Sequence, residues 1–204
     1  MRKSLWSYRR RRRAWWRWAV GVLLAAGLAG AVWAGLGTGR VVLPDGWLAA
    51  VGIGHPVRLY FASPDASYLI PEVRYLLPAQ DTPERRLQLL SAGPRDAGRL
   101  APVIPPGARP QWVQVDRGVA TASFSRELAE RHWGGTAGEL MTVYAIVHTL
   151  AEVPGVQRVR ILIEGKPLET LAGHVDLTEP LAPDPTLVQA TPPGSVGTER
   201  RPSS

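Results

Sequence analysis

The chain contains no cysteine. That absence excludes a disulfide, a thiolate metal site, an iron–sulfur cluster, a cysteine nucleophile and an acylated lipoprotein anchor. It is compatible with either side of a membrane. Lysine is confined to Lys3 and Lys166, so the basic character of the chain rests on arginine. The four histidines, His55, His132, His148 and His174, never stand three or four residues apart, and with no cysteine to complete a set no zinc site can be read from spacing. Gly134-Gly135-Thr136 lacks the lysine and spacing of a phosphate-binding loop. Ser123 and Ser125 lack the context of a nucleophile elbow.

Acidic residues are missing from one end. Residues 1–18 hold Arg2, Lys3, Arg9, Arg10, Arg11, Arg12, Arg13 and Arg17 and no carboxylate. Removing these eight cations from the formal net charge of +7 leaves −1 for everything after Trp18. The remainder is close to neutral and exerts no net field on a polyanion, so no nucleic-acid function is expected.

Ala19 to Leu36 follows the arginines as an uncharged run, AVGVLLAAGLAGAVWAGL. A helix of this length spans about 27 Å, close to the hydrocarbon thickness of a bilayer. Trp15, Trp16 and Trp18 flank one end and Trp33 lies near the other, where indoles favour the headgroup boundary. Positive flanks stay in the cytoplasm, so residues 40–204 are expected outside. A cleaved secretory signal is the competing reading. Against it, Val32-Trp33-Ala34 is a poor cleavage site and the run is longer than a usual signal core. Residues 37–55 read as a Gly-rich tether. Residues 181–204, rich in Pro, Thr, Ser and Gly, read as a disordered tail.

The folded unit is then 56–180. Val57 to Ala62 alternates as a strand with Val57, Leu59 and Phe61 inward. Tyr68 to Leu77 is its hairpin partner, with Pro71 favouring an edge. Thr82-Pro83-Glu84 opens a helix that Gly93-Pro94 closes. Asp116-Arg117-Gly118 joins the strands 112–115 and 119–122. Thr136-Ala137-Gly138-Glu139 fits a capping box ahead of a helix to Glu152, with Leu140, Val143, Tyr144, Val147, Leu150 and Ala151 as its buried stripe. Val159, Ile161 and Ile163 alternate in a strand, and 168–171 reads as a short partner. The order ββαββαββ predicts an α+β fold, a small antiparallel sheet with two helices packed on one face, preceded by one transmembrane helix.

An ordered series of segments runs through this unit: VRLYFASPDASYLIPEVRYL at 57–76, LLSAGP at 89–94, VIPPG at 103–107, VQVDRGVATASFS at 113–125, ELMTVYAIVHTLAEVPGVQRVRILIEGK at 139–166 and LETLAGHVDLTEPL at 168–181. The series resembles the GerM (Germane) domain family of sporulation and spore germination proteins. The resemblance implies an extracytoplasmic, non-enzymatic domain that associates with envelope or sporulation proteins or with itself. In general shape such domains are similar to ring-building domains of the channel between mother cell and forespore. It implies no catalytic residue, metal or cofactor. Two features depart from the pattern: one domain on a membrane helix rather than two on a lipid anchor, and His148 where Asn often precedes Thr149-Leu150.

His148 is expected to be a hydrogen-bonded packing residue, and His174 and Asp176 to belong to a structural turn. Arg58, Tyr60, Glu72, Arg74, Arg158 and Arg160 are the candidate partner surface. Arg58 and Tyr60 share one strand face, Glu72 and Arg74 another, and Arg158 and Arg160 a third, each outward-facing by alternation. Tyr60 supplies an aromatic anchor. An extracytoplasmic binder of cell-wall or lipid ligands is the alternative function. A hydrolase is disfavoured, because no nucleophile or acid–base pair can be nominated.

Overall fold

The computed structural model describes residues 54–189. The arginine-rich segment, the apolar run 19–36 and most of the tether lie outside the described residues. Among those described, no helix is long and apolar enough to cross a membrane.

The first hairpin pairs β1 (His55–Ala62) with β2 (Leu69–Leu76), antiparallel, His55 opposite Leu76 and Ala62 opposite Leu69. Its turn is built by side chains. The Ser63 hydroxyl accepts from the backbone N–H of Ser67 and Tyr68 and donates to Asp65. Val57, Leu59 and Phe61 are buried as alternation requires, but Tyr60 and Ala62 are buried too. Both faces of β1 are therefore covered over its second half.

Helix α1 (Pro83–Ser91) starts as its sequence predicts. Thr82 Oγ1 accepts from Arg85 N, and Pro83 sits where no N–H is needed. Leu87 and Leu90 are buried. A long loop then returns to β3 (Pro110–Asp116), which pairs antiparallel with β4 (Val119–Phe124). The turn residues Arg117 and Gly118 both have positive φ, 45° and 82°, the conformation a two-residue hairpin turn demands.

After the one-turn helix α2 (Glu127–Glu130) comes α3 (Thr136–Ala151), and then β5 (Arg158–Ile163). The expected single antiparallel sheet is corrected here. The five strands form two sheets, β1–β2 and β3–β4–β5, and β5 runs parallel to β4, with Ala122 opposite Ile161. The reason is topological. A helix between two neighbouring strands of one sheet carries the chain back to its starting end, so the second strand runs parallel to the first. The hairpins, joined by two tight turns, keep their antiparallel pairing.

Helix α3 is the centre of the described domain. It contacts α1, β1 and β5. Its expected stripe is partly displaced: Leu140, Tyr144 and Ala151 are only half-buried, while Met141, Thr142, Ala145, Ile146, His148 and Thr149 are buried along with Val143, Val147 and Leu150. The buried hydroxyls are satisfied, Thr142 donating to Val103 O and Thr149 accepting from Tyr60 N. Phe61, Phe124, Leu59, Leu69, Leu87, Leu128, Ile146, Leu150 and Ile161 fill the core around it. Each such side chain contributes about 1.5–3 kcal/mol by leaving water.

Two further expectations change. The capping box does not form: Gly135 is the N-cap, without a side-chain bond, and Thr136 already lies in the helix. Glu139 is thereby drawn wholly inside. Its carboxylate accepts from Leu171 N and His174 N, each at 2.8 Å, and contacts His174 Nδ1 at 3.1 Å. Residues 168–171 are consequently not a strand; their backbone is tied to a side chain instead. The expected tail is also ordered at its start. Leu181 bridges Val159, Pro185–Leu187 form a 3-10 turn, and Gln189 N donates to Leu69 O.

Candidate functional site

The first hairpin uses its polar residues internally. Tyr60 is buried, and its hydroxyl donates to Glu152 Oε1 at 2.6 Å. Burial first, and that bond second, push its pKa up. Arg58 stays exposed, with Nε 3.4 Å from the same Glu152 oxygen. Arg74 is buried: Nε donates to Glu72 Oε1 at 2.7 Å, Nη2 donates to Gly93 O at 2.7 Å, and the guanidinium lies 5.7 Å from the Phe61 ring centre. Glu72 Oε2 accepts from Arg95 N. The pair staples the 93–95 loop to β2. Tyr60 and Arg74 therefore leave the candidate surface. Alternation placed them outward, but helix α3 packs against Tyr60 and this loop against Arg74, while Arg58, Val73 and Tyr75 stay exposed.

Nearby, Asp81 accepts from Arg86 Nε and Nη2, at 2.7 and 2.8 Å, and lies 2.7 Å from His55 Nε2. The Arg86 hydrogen bonds, aided by His55 and opposed by burial, hold its pKa down to about 2.

Two of the histidines, His148 and His132, are packing residues. His148 is buried among Tyr60 and Tyr144, with Nε2 2.9 Å from Asp184 O; burial pushes its pKa down. His132 contacts Thr142 Oγ1 at 3.1 Å and accepts from Gly134 N, and burial lowers its pKa too. Burial alone would raise the pKa of Glu139. The backbone N–H groups of Ala172, His174, Leu171 and Val175 outweigh it and hold the carboxyl below its ordinary range. His174 serves that clamp, while Asp176 caps Thr178. Among the described residues, no group of three or more His, Asp and Glu is placed to hold a metal ion.

The second sheet differs. Its inner face, Ala120, Ala122, Phe124, Val159 and Ile161, is buried in the core. By register its outer face carries Trp112, Gln114 and Asp116 on β3, Val119, Thr121 and Ser123 on β4, and Arg158, Arg160 and Leu162 on β5. Ser123 is the exception in polarity, buried and bonded to Gln111 Oε1 and Gly165 N. Trp112 is 40% exposed. Its ring lies beside Gly165, where a Cβ would come within 4.0 Å of Trp112 Cζ2. Across this face runs a groove of about 580 Å³ lined by Asp116, Arg117, Val119, Thr121, Arg160, Leu162, Gly165, Pro167 and Pro180. Lys166 stands between two of the lining residues. Among the described residues, the side chains of Arg117, Arg158, Arg160 and Lys166 make no ion pair.

Of the six sequence candidates, this face unites Arg158 and Arg160. The other four sit on the first hairpin. Sequence reasoning missed Trp112 and Arg117, although the hairpin pattern that places them was visible. A second cleft of about 340 Å³, lined by Arg109, Ser125, Glu127, Arg131 and Glu164, is largely self-satisfied, with Arg126 N on Glu164 and Arg109 N on Ser125.

The family model for Germane, described as sporulation and spore germination, matches residues 58–169, more than half of the chain. The chain belongs to the Germane family. The match runs from Arg58 within β1 through β5 and takes in every groove residue except Pro180. Solved structures carry the same fold. The first GerMN domain of the sporulation protein GerM from Bacillus subtilis aligns at 22% identity and a TM-score of 0.53, covering 63% of this chain and 97% of that one. The tandem GerMN domains of the same protein align at 19% identity and a TM-score of 0.53, covering 63% of this chain and 46% of that one. The present chain thus spans about half the length of the tandem protein. No curated protein matches it. The Germane core of this chain is extended by residues 170–189, which carry the Glu139 clamp and the return to Leu69.

Proposed function

We propose that this protein is a membrane-anchored, extracytoplasmic, non-enzymatic Germane protein that associates with other proteins in sporulation, spore germination or the cell envelope. The observation that carries the reading is the contrast in side-chain use. Most of the domain's buried polar groups, Arg86 Nη1 and Ser91 Oγ excepted, are spent on holding the fold, while the second sheet carries an exposed tryptophan and, on its outer face and the flanking turns, Arg158, Arg160, Arg117 and Lys166, which make no ion pair among the described residues. Such a face offers an aromatic anchor and charges for orientation, the usual means by which one protein recognises another. The apolar run at 19–36, with arginines before it, supports a single span with the N-terminus in the cytoplasm.

In-cell photocrosslinking tests the association. A photoreactive residue at Gln114, and separately at Val73 on the first hairpin, is expected to yield discrete protein adducts from at least one position. Absence of protein adducts at both, with adducts to wall polymer or lipid instead, overturns the reading in favour of a cell-wall or lipid binder. Protease added to intact spheroplasts is expected to remove the domain and leave the N-terminal segment protected.

A further inference from the structure

The groove on the second sheet is specific enough to say what kind of protein segment it fits. Two cations, Arg117 and Arg160, line it, Arg158 lies two residues before Arg160 on the same strand face, and Lys166 stands between Gly165 and Pro167. Asp116 is the one acid among the lining residues, and even with Glu179 beside Pro180 the cations prevail. Glu164 is turned to other work, its carboxylate accepting from Arg126 N. Val119, Leu162, Pro167 and Pro180 supply apolar lining, with Thr121 on the central strand between Val119 and the row of Leu162. Leu162 is buried, yet it does not belong to the core cluster, so it is the face itself that shelters it.

Spacing adds a second constraint. Arg158, Arg160 and Leu162 occupy alternate positions on β5 and so project to one side about 6.6 Å apart. An extended polypeptide repeats its own side chains at the same interval. Guanidinium groups pair best with planar, bidentate carboxylates. A polyphosphate or wall teichoic polymer would match the charge but leave the apolar lining of Val119, Leu162, Pro167 and Pro180 without a partner. A flat lipid surface could not enter a recess.

We propose that the outer face of β3–β4–β5 docks an acidic, extended segment of a partner protein, with carboxylates at alternate residues on Arg158 and Arg160, an apolar side chain following them over Leu162, and Trp112 at the rim. This rests on the reading above that the domain associates with proteins. It goes further in naming the face and the chemistry of the partner.

The test titrates the full chain with a short synthetic peptide alternating Glu with Thr and ending in Leu, followed by Trp fluorescence and by calorimetry. A peptide of identical composition with its Glu residues in one block, and polyglycerol phosphate, are the comparison ligands. Saturable, salt-sensitive binding of the alternating peptide is expected, with binding of the block peptide and of the polymer weaker by about tenfold or more. The double variant Arg158→Glu, Arg160→Glu is expected to lose at least about tenfold in affinity for the alternating peptide. Trp112→Ala is expected to lose several-fold while leaving the charges in place. Thermal melting of each variant checks that the fold survives, and Arg158→Glu alone, at an exposed position, keeps the test open if the double variant melts early. Absence of peptide binding, equal binding by the variants, or equal binding of the polymer overturns the proposal. Its failure is separable from failure of the wider reading. Protein adducts formed at Val73 but not at Gln114 keep a protein-binding role and reject this face. Absence of protein adducts at both rejects both.

Discussion

The two sheets use arginine in opposite ways. In the first, Arg74 is buried against Glu72, Gly93 O and the Phe61 ring, and Arg86, in the helix that follows the hairpin, is buried against Asp81. In the second, Arg158 and Arg160 lie on the outer face and, among the described residues, make no ion pair. The alternation that suggests an outward residue is the same in both. What differs is the neighbour: α3 packs against Tyr60 and the 93–95 loop against Arg74, whereas among the described residues the inner face of the second sheet, not the face of Arg158 and Arg160, is the one buried in the core. Charge on a strand therefore tells which residues share a face, and packing decides whether that face is interior.

Four measurements on the full chain sharpen this contrast, the substitutions followed by chemical unfolding with unchanged denaturant dependence as the check that only stability has moved. The largest effect is expected for Glu139→Ala. It strips the buried backbone N–H groups of Leu171 and His174 of their acceptor and costs about 4 kcal/mol. Arg74→Ala follows at about 3 kcal/mol, because Glu72 loses its buried charge partner and Gly93 O its donor.

Acid unfolding gives the third. The folded pKa of Asp81 is depressed from its ordinary 3.8 to about 2. Its contribution is therefore complete above pH 3.8 and is lost as pH falls towards 2, amounting to about 2 kcal/mol. Asp81→Asn should abolish that acid-side slope while leaving the neutral-pH baseline lower. The smallest effect belongs to the open face. Arg158→Ala and Arg160→Ala should each change stability by no more than about 0.5 kcal/mol, since neither makes an ion pair among the described residues. A cost for Arg160→Ala equal to that for Arg74→Ala would erase the distinction between the sheets.

Much of the fold was readable because it is written in local chemistry. Thr82-Pro83 starts α1, Asp116-Arg117-Gly118 turns the second hairpin, and Pro71 sits at the strand pair's outer edge opposite Tyr60, where its missing N–H costs nothing. The ordered motif series led correctly to the Germane family. What escaped was set by distant partners. The parallel pairing of β5 depends on where α3 delivers the chain. Glu139 satisfied the pattern of a helix cap, but the positive-φ pair Gly134-Gly135 brings the chain in so that the helix starts at Thr136. The carboxylate then serves residues more than thirty positions later. Residues 181–189 look like linker by composition, yet they dock through backbone bonds, which composition does not record. For the candidate site, Arg158 and Arg160 were legible by alternation. Trp112 and the apolar recess required the register of three strands.

The contact of Gln189 with Leu69 has a consequence in time rather than in space. The last described residues seat on the first hairpin, and Asp184 O takes the bond from His148 in the central helix. Contacts of such wide sequence separation close late and slow a chain's search for its native state. A nascent chain emerging from its N-terminus must hold β1 and β2 with one edge unlatched until the final segment arrives. The domain cannot finish folding before almost all of it has been made. A stop codon near residue 180 would leave a molecule complete in its strands and helices but without the latch that commits it.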